Sequence, residues 1–318
     1  MTAAVEIVEV GQRDGLQNEK RVLDADTRVE LIRRLVAQGA RRIEAVSFVR
    51  PDRVPQMAHA EAVMAAVPRE AGVRYIGLVL NGRGAERAVE ACCDEINVVV
   101  PVSDEFTRRN QGMSTADMLG QARHAIAIAR TADLGVSVTL AVAFGCPFAG
   151  DMTARTTEVV DQAADLGVDE LAFADTIGVG VPRQVRQLVA LADRDPRIPA
   201  LRFHFHNTRN TGYANAITAV DATSRTQLAL DASVGGFGGC PFAPAATGNI
   251  ASEDLAYLLR GEGQRVDLDL SGLCATADWL STRLDSPVQG LLGKAGDFLS
   301  ATDEFATNGS AGQDESRV

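Results

Sequence analysis

Asp165-Leu166-Gly167-Val168-Asp169-Glu170-Leu171-Ala172-Phe173-Ala174-Asp175 carries the end of one element and the whole of the next. Upstream of it, residues 153–166 repeat apolar positions at helical spacing. The Leu-Gly pair is where such a helix stops, because glycine enters the left-handed backbone at a helix C-terminus without a Cβ penalty. Within residues 170–175 a short apolar run, Leu171–Ala174, is closed by Asp175, which reads as a buried strand. Outward in both directions the same unit recurs. Strands are expected at 6–10, 42–48, 74–80, 95–101, 136–144, 170–175, 201–206 and 228–234. Helices are expected at 25–37, 57–67, 115–131, 153–166 and 182–192, with Gly39, Gly135 and Gly167 as stops. Strand, helix, strand repeated eight times predicts class α/β and a (β/α)8 TIM barrel. A doubly wound open sheet is the competing arrangement, but eight units favour closure.

The expected division is a barrel over 1–265, a helical extension over 266–305 and a disordered tail over 306–318. Helices at 253–260 and 270–284 follow the eighth strand, and the last residues are polar and without periodicity. A chain of 318 residues with 46% hydrophobic content can bury a large core. Its net charge of −11 argues against nucleic acid, whose phosphates demand a basic face. The five cysteines are odd in number and scattered, which fits a reducing compartment better than a disulfide framework. With no basic-then-apolar leader and no apolar run of membrane-spanning length, the expectation is a soluble cytoplasmic protein without a membrane partner.

Catalytic residues of such barrels come from the C-terminal ends of strands and the loops that follow. Arg13 and Asp14 stand side by side after the first strand, a cation and a carboxylate whose pairing in a crevice is costly unless a site uses both. Glu44 lies in the second strand and Asp175 ends the sixth. His204-Phe205-His206 closes the seventh, and residues two apart on a strand face the same way, so both imidazoles can meet one ion. Asn249 follows the eighth. Two histidines, a carboxylate and an amide oxygen suit a divalent ion such as Mg²⁺ or Mn²⁺. Singly, each has a plainer reading: a structural ion pair for Arg13–Asp14, a buried pair for Glu44, a helix cap for Asp175. Four such coincidences at one end of successive strands favour a site. His59 and His124 fall in helical patterns and are expected at the surface.

Val234-Gly235-Gly236-Phe237-Gly238-Gly239-Cys240-Pro241-Phe242 places a cysteine after a glycine run. Such a loop can approach a ligand closely, and Cys240 could exchange a proton there. Gly145-Cys146-Pro147-Phe148-Ala149 repeats the pentapeptide Gly-Cys-Pro-Phe-Ala without the glycine run.

Taken together the motifs VEVGQRDGLQNEK, FTRRN, DTIGVG, HFH, GGCPFAPAATGN and SED resemble the 3-hydroxy-3-methylglutaryl-CoA lyases. These are metal-dependent barrel enzymes related to the isopropylmalate and homocitrate synthases. The resemblance covers about residues 5–265. It implies metal binding by Asp14, His204 and His206 with Asn249, enolate stabilisation by Arg13, and an active-site loop carrying Cys240. It further implies active-site acids at Glu44, Asp175 and Glu253, and a dimer. For the acyl-CoA substrate it points to Lys20 near the CoA and to Gln17, Ser47, Asn81, Ser103 and Ala172 around the pocket. The chain departs from the family pattern at Asn207, Arg209 and Asn210, at Ala172 where better-known lyases carry serine, at Val79-Leu80-Asn81 on strand three and at Pro101-Val102-Ser103 on strand four. These changes lead to the expectation of a more apolar pocket and an altered acyl group. The reaction implied is retro-Claisen cleavage to acetyl-CoA and a keto acid such as acetoacetate. A condensing transferase running the reverse direction is the alternative; the chain lacks the long C-terminal domain of those synthases. A non-catalytic barrel is the third reading, disfavoured by the intact set of site residues.

Overall fold

The computed structural model describes residues 5–224, 227–239 and 248–297. Eight parallel strands close into a barrel: β1 (Val5–Glu9), β2 (Arg42–Ser47), β3 (Arg74–Val79), β4 (Glu95–Pro101), β5 (Gly135–Ala141), β6 (Glu170–Asp175), β7 (Ala200–Phe205) and β8 (Gln227–Ala232). Each strand pairs with the next in sequence, and β8 returns to β1 in register from Val5↔Leu228 to Glu9↔Ala232. Between strands run α1 (Ala25–Ala37), α2 (Ala60–Ala66), α3 (Gly82–Glu90), α4 (Asp104–Gln111), α5 (Thr115–Thr131), α6 (Thr153–Ala164), α7 (Pro182–Ala192) and α8 (Gly212–Ala222). Three more helices follow: α9 (Ser252–Gly261), α10 (Leu270–Leu284) and α11 (Leu292–Ala295). The main apolar core lies between the strands and this outer ring, as in Leu31, Ile32 and Leu35 of α1 against Ile43 of β2. Helix α10 docks on α1, with the Arg34 guanidinium 4.6 Å from the Trp279 ring centre. No helix among the described residues is long and apolar enough to cross a membrane.

Helices α3, α4 and α8 stand outside the helices expected from the sequence. Capping starts the first two: Asn81 accepts from the Gly84 amide at 3.0 Å and Ser103 from the Phe106 amide at 3.3 Å. Gly39 and Gly167 take left-handed φ of 100° and 70° as expected of helix stops. Gly135 does not: it is the first residue of β5, and Asp133, at φ 58°, makes the left-handed turn after α5. Strand β5 ends at Ala141, short of the expected 144, because Val142 swings to φ 52° and donates its amide to Thr176 Oγ1 at 2.9 Å.

Inside the barrel the chain buries charge. Arg42, the first residue of β2, donates to Glu95 at 2.7 and 3.0 Å and to both oxygens of Glu170 at 2.8 Å. Those two acids are the first residues of β4 and β6, so the network plugs the N-terminal mouth of the barrel. Arg202 of β7 is fully buried, with Nε 3.3 Å from Glu170 and 3.6 Å from Asp231. Neither contact is a hydrogen bond, so Arg202 acts on them as a buried charge. Above it Val8, Val10, Ile76 and Ala229 form a small apolar cluster. The opposite, C-terminal end is left for the polar residues described next.

Candidate active site

After β1 the backbone winds into one π-helical turn, Gly11–Gly15, in which the Val10 carbonyl accepts from the amides of Arg13, Asp14 and Gly15. That turn points Arg13 and Asp14 into the C-terminal mouth. Asp14 Oδ2 lies 3.7 Å from His204 Nε2 and 3.6 Å from His206 Nε2, and one ligand atom from each of the three lies within 4.8 Å of the others. The Asn249 amide nitrogen donates to Asp14 Oδ2 and to the Phe237 carbonyl, both at 3.0 Å.

Both ring nitrogens of His206 and the Asn249 Oδ1 are buried without a hydrogen-bond partner. At 3.6 Å the His206–Asp14 contact is too long to be one. Buried acceptors are left unpaired at a cost, and a cation removes it. The cluster of Asp14, His204 and His206 therefore fits a divalent metal, with Asn249 beside it.

Asp14 and His204 are held from behind. His204 Nδ1 meets Asp231 Oδ2 at 3.0 Å, leaving Nε2 directed at the ion position. Arg13 binds Asp14 through Nη1 at 2.5 Å and Glu44 through Nε. Glu44 also accepts from Asn97 at 2.8 Å, and Asn97 in turn accepts from Thr139 at 2.8 Å. Glu44 is thus the buried partner that aims the arginine. Burial works against charge on Asp14, but Arg13 and the two histidines hold its carboxyl well below the usual range. Burial likewise lowers His204, yet Asp14 and Asp231 win and raise it. Asp231, desolvated, is kept low by Arg202 and His204.

A cavity of about 1550 Å³ opens above this floor. Arg13, Asp14, His204, His206 and Asp231 line it, as do Gln17 and Asn81. Four residues named for the substrate do not. Lys20 is exposed and outside the lining. Ser47 is buried in β2, and Ser103 spends its hydroxyl capping α4. Ala172, paired with Thr139 and Arg202, sits beneath Ala174, which does line the cavity. Six arginines besides Arg13 line its wall. Asp175 is buried and its two oxygens accept the Val179 and Gly180 amides at 2.8 and 2.9 Å, which fixes the loop after β6. Burial raises its carboxyl despite those bonds. Glu253 is buried at the start of α9 and takes the Gly235 amide at 3.0 Å. Cys146 is buried and its Sγ accepts the Phe148 amide at 3.4 Å. Cys240 lies outside the described residues. His59 and His124 are exposed, as expected.

Sequence reading missed Asp231, Asn97, Thr139 and Arg202. Asp231 carried a signal of its own, a lone carboxylate within an apolar strand.

The model of the family described as HMGL-like matches residues 4–280. The (R)-citramalyl-CoA lyase of Chloroflexus aurantiacus is 45% identical over 306 residues, covering 92% of this chain and 95% of that protein. The hydroxymethylglutaryl-CoA lyase of Pseudomonas mevalonii is 39% identical, covering 88% of this chain and 93% of that protein. Among solved structures, an HMG-CoA lyase from Acinetobacter baumannii in complex with coenzyme A and 3-methylmalate superposes with a TM-score of 0.85. It is 35% identical and covers 93% of this chain and 97% of that one. The eight-stranded barrel, its buried Asp-His-His cluster and these likenesses place this chain in the HMGL-like family, whose curated relatives are carbon–carbon lyases.

Proposed function

We propose that the protein cleaves the C2–C3 bond of a 3-hydroxy-3-methyl acyl-CoA whose C3 bears a carboxylate directly or through one methylene. The observation that carries this reading is Arg13 beside the Asp14–His204–His206 cluster on the floor of one large cavity. In the reaction a base takes the C3 hydroxyl proton, His204 and Asp175 being the candidates, and the hydroxyl oxygen becomes the keto oxygen. The C2–C3 electron pair passes to the thioester as an enolate, and a proton delivered to C2 completes acetyl-CoA. A divalent ion held by Asp14, His204, His206 and Asn249 supplies Lewis-acid polarisation of substrate oxygens. Arg13, fixed by Glu44 and Asp14, presents its guanidinium to the enolate oxygen, where a preorganised donor is worth several kcal/mol. Asp14, held well below the usual carboxylate range, keeps a negative charge rather than taking the proton. Cys240 is the proposed donor of the proton to C2.

Of the two acyl groups, we place citramalyl first, because that relative is 45% identical over nearly all of both chains. The 3-hydroxy-3-methylglutaryl group is second, on relatives at 39%. The test is acetyl-CoA release by purified protein from each thioester, with Mg²⁺, with Mn²⁺ and after chelation. Release at about 1 s⁻¹ or faster, abolished by chelation and faster from citramalyl-CoA with pyruvate as co-product, is expected. Faster acetoacetate release would reverse the order of substrates. Metal-independent release, or none from either, would overturn the reading.

A further inference from the structure

Asn97 of β4 and Thr139 of β5 line the cavity floor, yet neither carries a charge nor belongs to the metal cluster. Alternate residues of both strands face the barrel interior, so the two lie between the Glu95–Ser137 pair below and Val99 and Ala141 above. Burying an amide and a hydroxyl at this depth is costly unless both are paired. Arg202 Nη2 donates to Thr139 Oγ1 at 3.4 Å, Thr139 Oγ1 donates to Asn97 Oδ1 at 2.8 Å, and Asn97 Nδ2 donates to Glu44 Oε2 at 2.8 Å. Glu44 Oε1 then accepts from Arg13 Nε. The direction of this hydrogen-bond relay is forced. A guanidinium can only donate and a hydroxyl has one hydrogen, so Thr139 turns that hydrogen to Asn97. Asn97 in turn shows its oxygen to Thr139 and its nitrogen to the carboxylate.

Arg13 is thereby gripped along two edges. Its Nε meets Glu44 and its Nη1 meets Asp14 at 2.5 Å, while Nη2 has no hydrogen bond among the described residues. Glu44 lies outside the cavity lining and takes one side-chain donor on each oxygen, Arg13 on one and Asn97 on the other. Without Asn97 the carboxylate would be pinned at one oxygen only and free to rotate. Resting on the reading of Arg13 as the group that meets the enolate oxygen, we propose that Thr139 and Asn97 are positioning residues that aim Arg13 Nη2 through Glu44. Neither touches the reacting atoms. Misdirecting the guanidinium weakens its contact with the developing oxyanion more than any contact with the ground state, so the effect falls on kcat.

The experiment compares Thr139→Val, Thr139→Ser and Asn97→Leu with the parent enzyme, all loaded with Mn²⁺. Valine keeps the β-branched shape that suits a strand but lacks the hydroxyl, and serine keeps the hydroxyl. Thr139→Val and Asn97→Leu are expected to lower kcat for acetyl-CoA release roughly 10- to 100-fold, with KM within about twofold of the parent. They remove different links, so either one that folds decides the matter. Thr139→Ser is expected to recover most of the loss. Mn²⁺ affinity is expected to hold within about twofold in each variant, which separates a misdirected arginine from a damaged metal cluster. In parallel the Arg13 Nε–H resonance, identified by its loss in Arg13→Lys, is followed by heteronuclear NMR. It is expected to shift in Thr139→Val and to return toward its parental position in Thr139→Ser. That readout needs no turnover, so it tests the relay even if neither acyl-CoA is cleaved. An unmoved resonance, a parental kcat in Thr139→Val, a Thr139→Ser enzyme as impaired as Thr139→Val, or a loss confined to KM overturns the assignment.

Discussion

Asp231 shows how much of this site lies one residue behind the ligands. Its carboxylate fixes the His204 ring through Nδ1 at 3.0 Å, which decides the nitrogen offered to a metal. The buried Arg202 charge nearby keeps that carboxylate ionised. Asp231→Asn preserves the shape of the side chain but removes the charge that makes the imidazole a stronger ligand. Metal affinity is expected to drop roughly 10- to 100-fold, read by titrating the chelated protein with Mn²⁺ in a calorimeter. Activity at saturating metal is expected to recover more than the affinity does. An unchanged metal affinity would mean that the pair is a structural contact only.

At the scale of elements, two turns bring the candidate ligands together, and the second depends on backbone that few residues can adopt. The π-helical turn after β1 gathers three amides on the Val10 carbonyl and so turns Arg13 and Asp14 inward. Across from it Gly238 runs at φ 125°, and a Cβ there would sit 2.5 Å from the Asn249 amide nitrogen. Gly238→Ala therefore meets both a forbidden backbone region and a displaced ligand. A stability loss of about 1–3 kcal/mol is expected, measured by urea unfolding, together with weaker metal binding. A variant of parental stability and metal affinity would show that this segment relaxes freely.

At the scale of the whole molecule, the barrel is plugged with charge at one end and works with charge at the other. Arg42 compensates Glu95 and Glu170 in the plug. Removing it leaves two buried carboxylates facing each other, so Arg42→Met is expected to cost about 3–5 kcal/mol, measured by urea denaturation. A second device sits where β1 meets α9. Burial pushes the Glu9 carboxyl up to about 7 against its bonds to Ser252, Gly11 and Val234. Burial likewise pushes Glu253 up to about 8, helped by the nearby Asp254 and Glu9. Both folded values exceed the unfolded ones, so the folded state binds the extra protons. Their contribution to stability is complete below about pH 4.5 and is lost as pH rises through 7 to 8. Glu253→Gln keeps an acceptor for the Gly235 amide and is expected to flatten that decline. The change in slope is up to about 1.4 kcal/mol per pH unit, read from unfolding free energies between pH 5 and 9. An unaltered slope would assign the decline to other groups.

Much of this was legible in the chain itself. The eight-unit alternation and the helix stops at Gly39 and Gly167 are local, because backbone preference and apolar spacing act over a few residues. The likeness to the lyases and the spacing of His204 and His206 on one strand face are equally local, and they brought Asp14 and both histidines to one expected site. What lay beyond reach was pairing across strands. Whether an alternating residue faces the barrel interior or the helices depends on closure, and the Arg42–Glu95–Glu170 plug and the Asp231–His204 contact form only then. For the same reason Ser47, Ser103 and Ala172, close in sequence to strand ends, fall outside the cavity, while arginines from one loop and two helices line its wall. Sequence alone determined the order of elements and the ligand types, since short-range forces set both. Tertiary structure decided which charges meet, since electrostatic partners are chosen by distance in space and not along the chain.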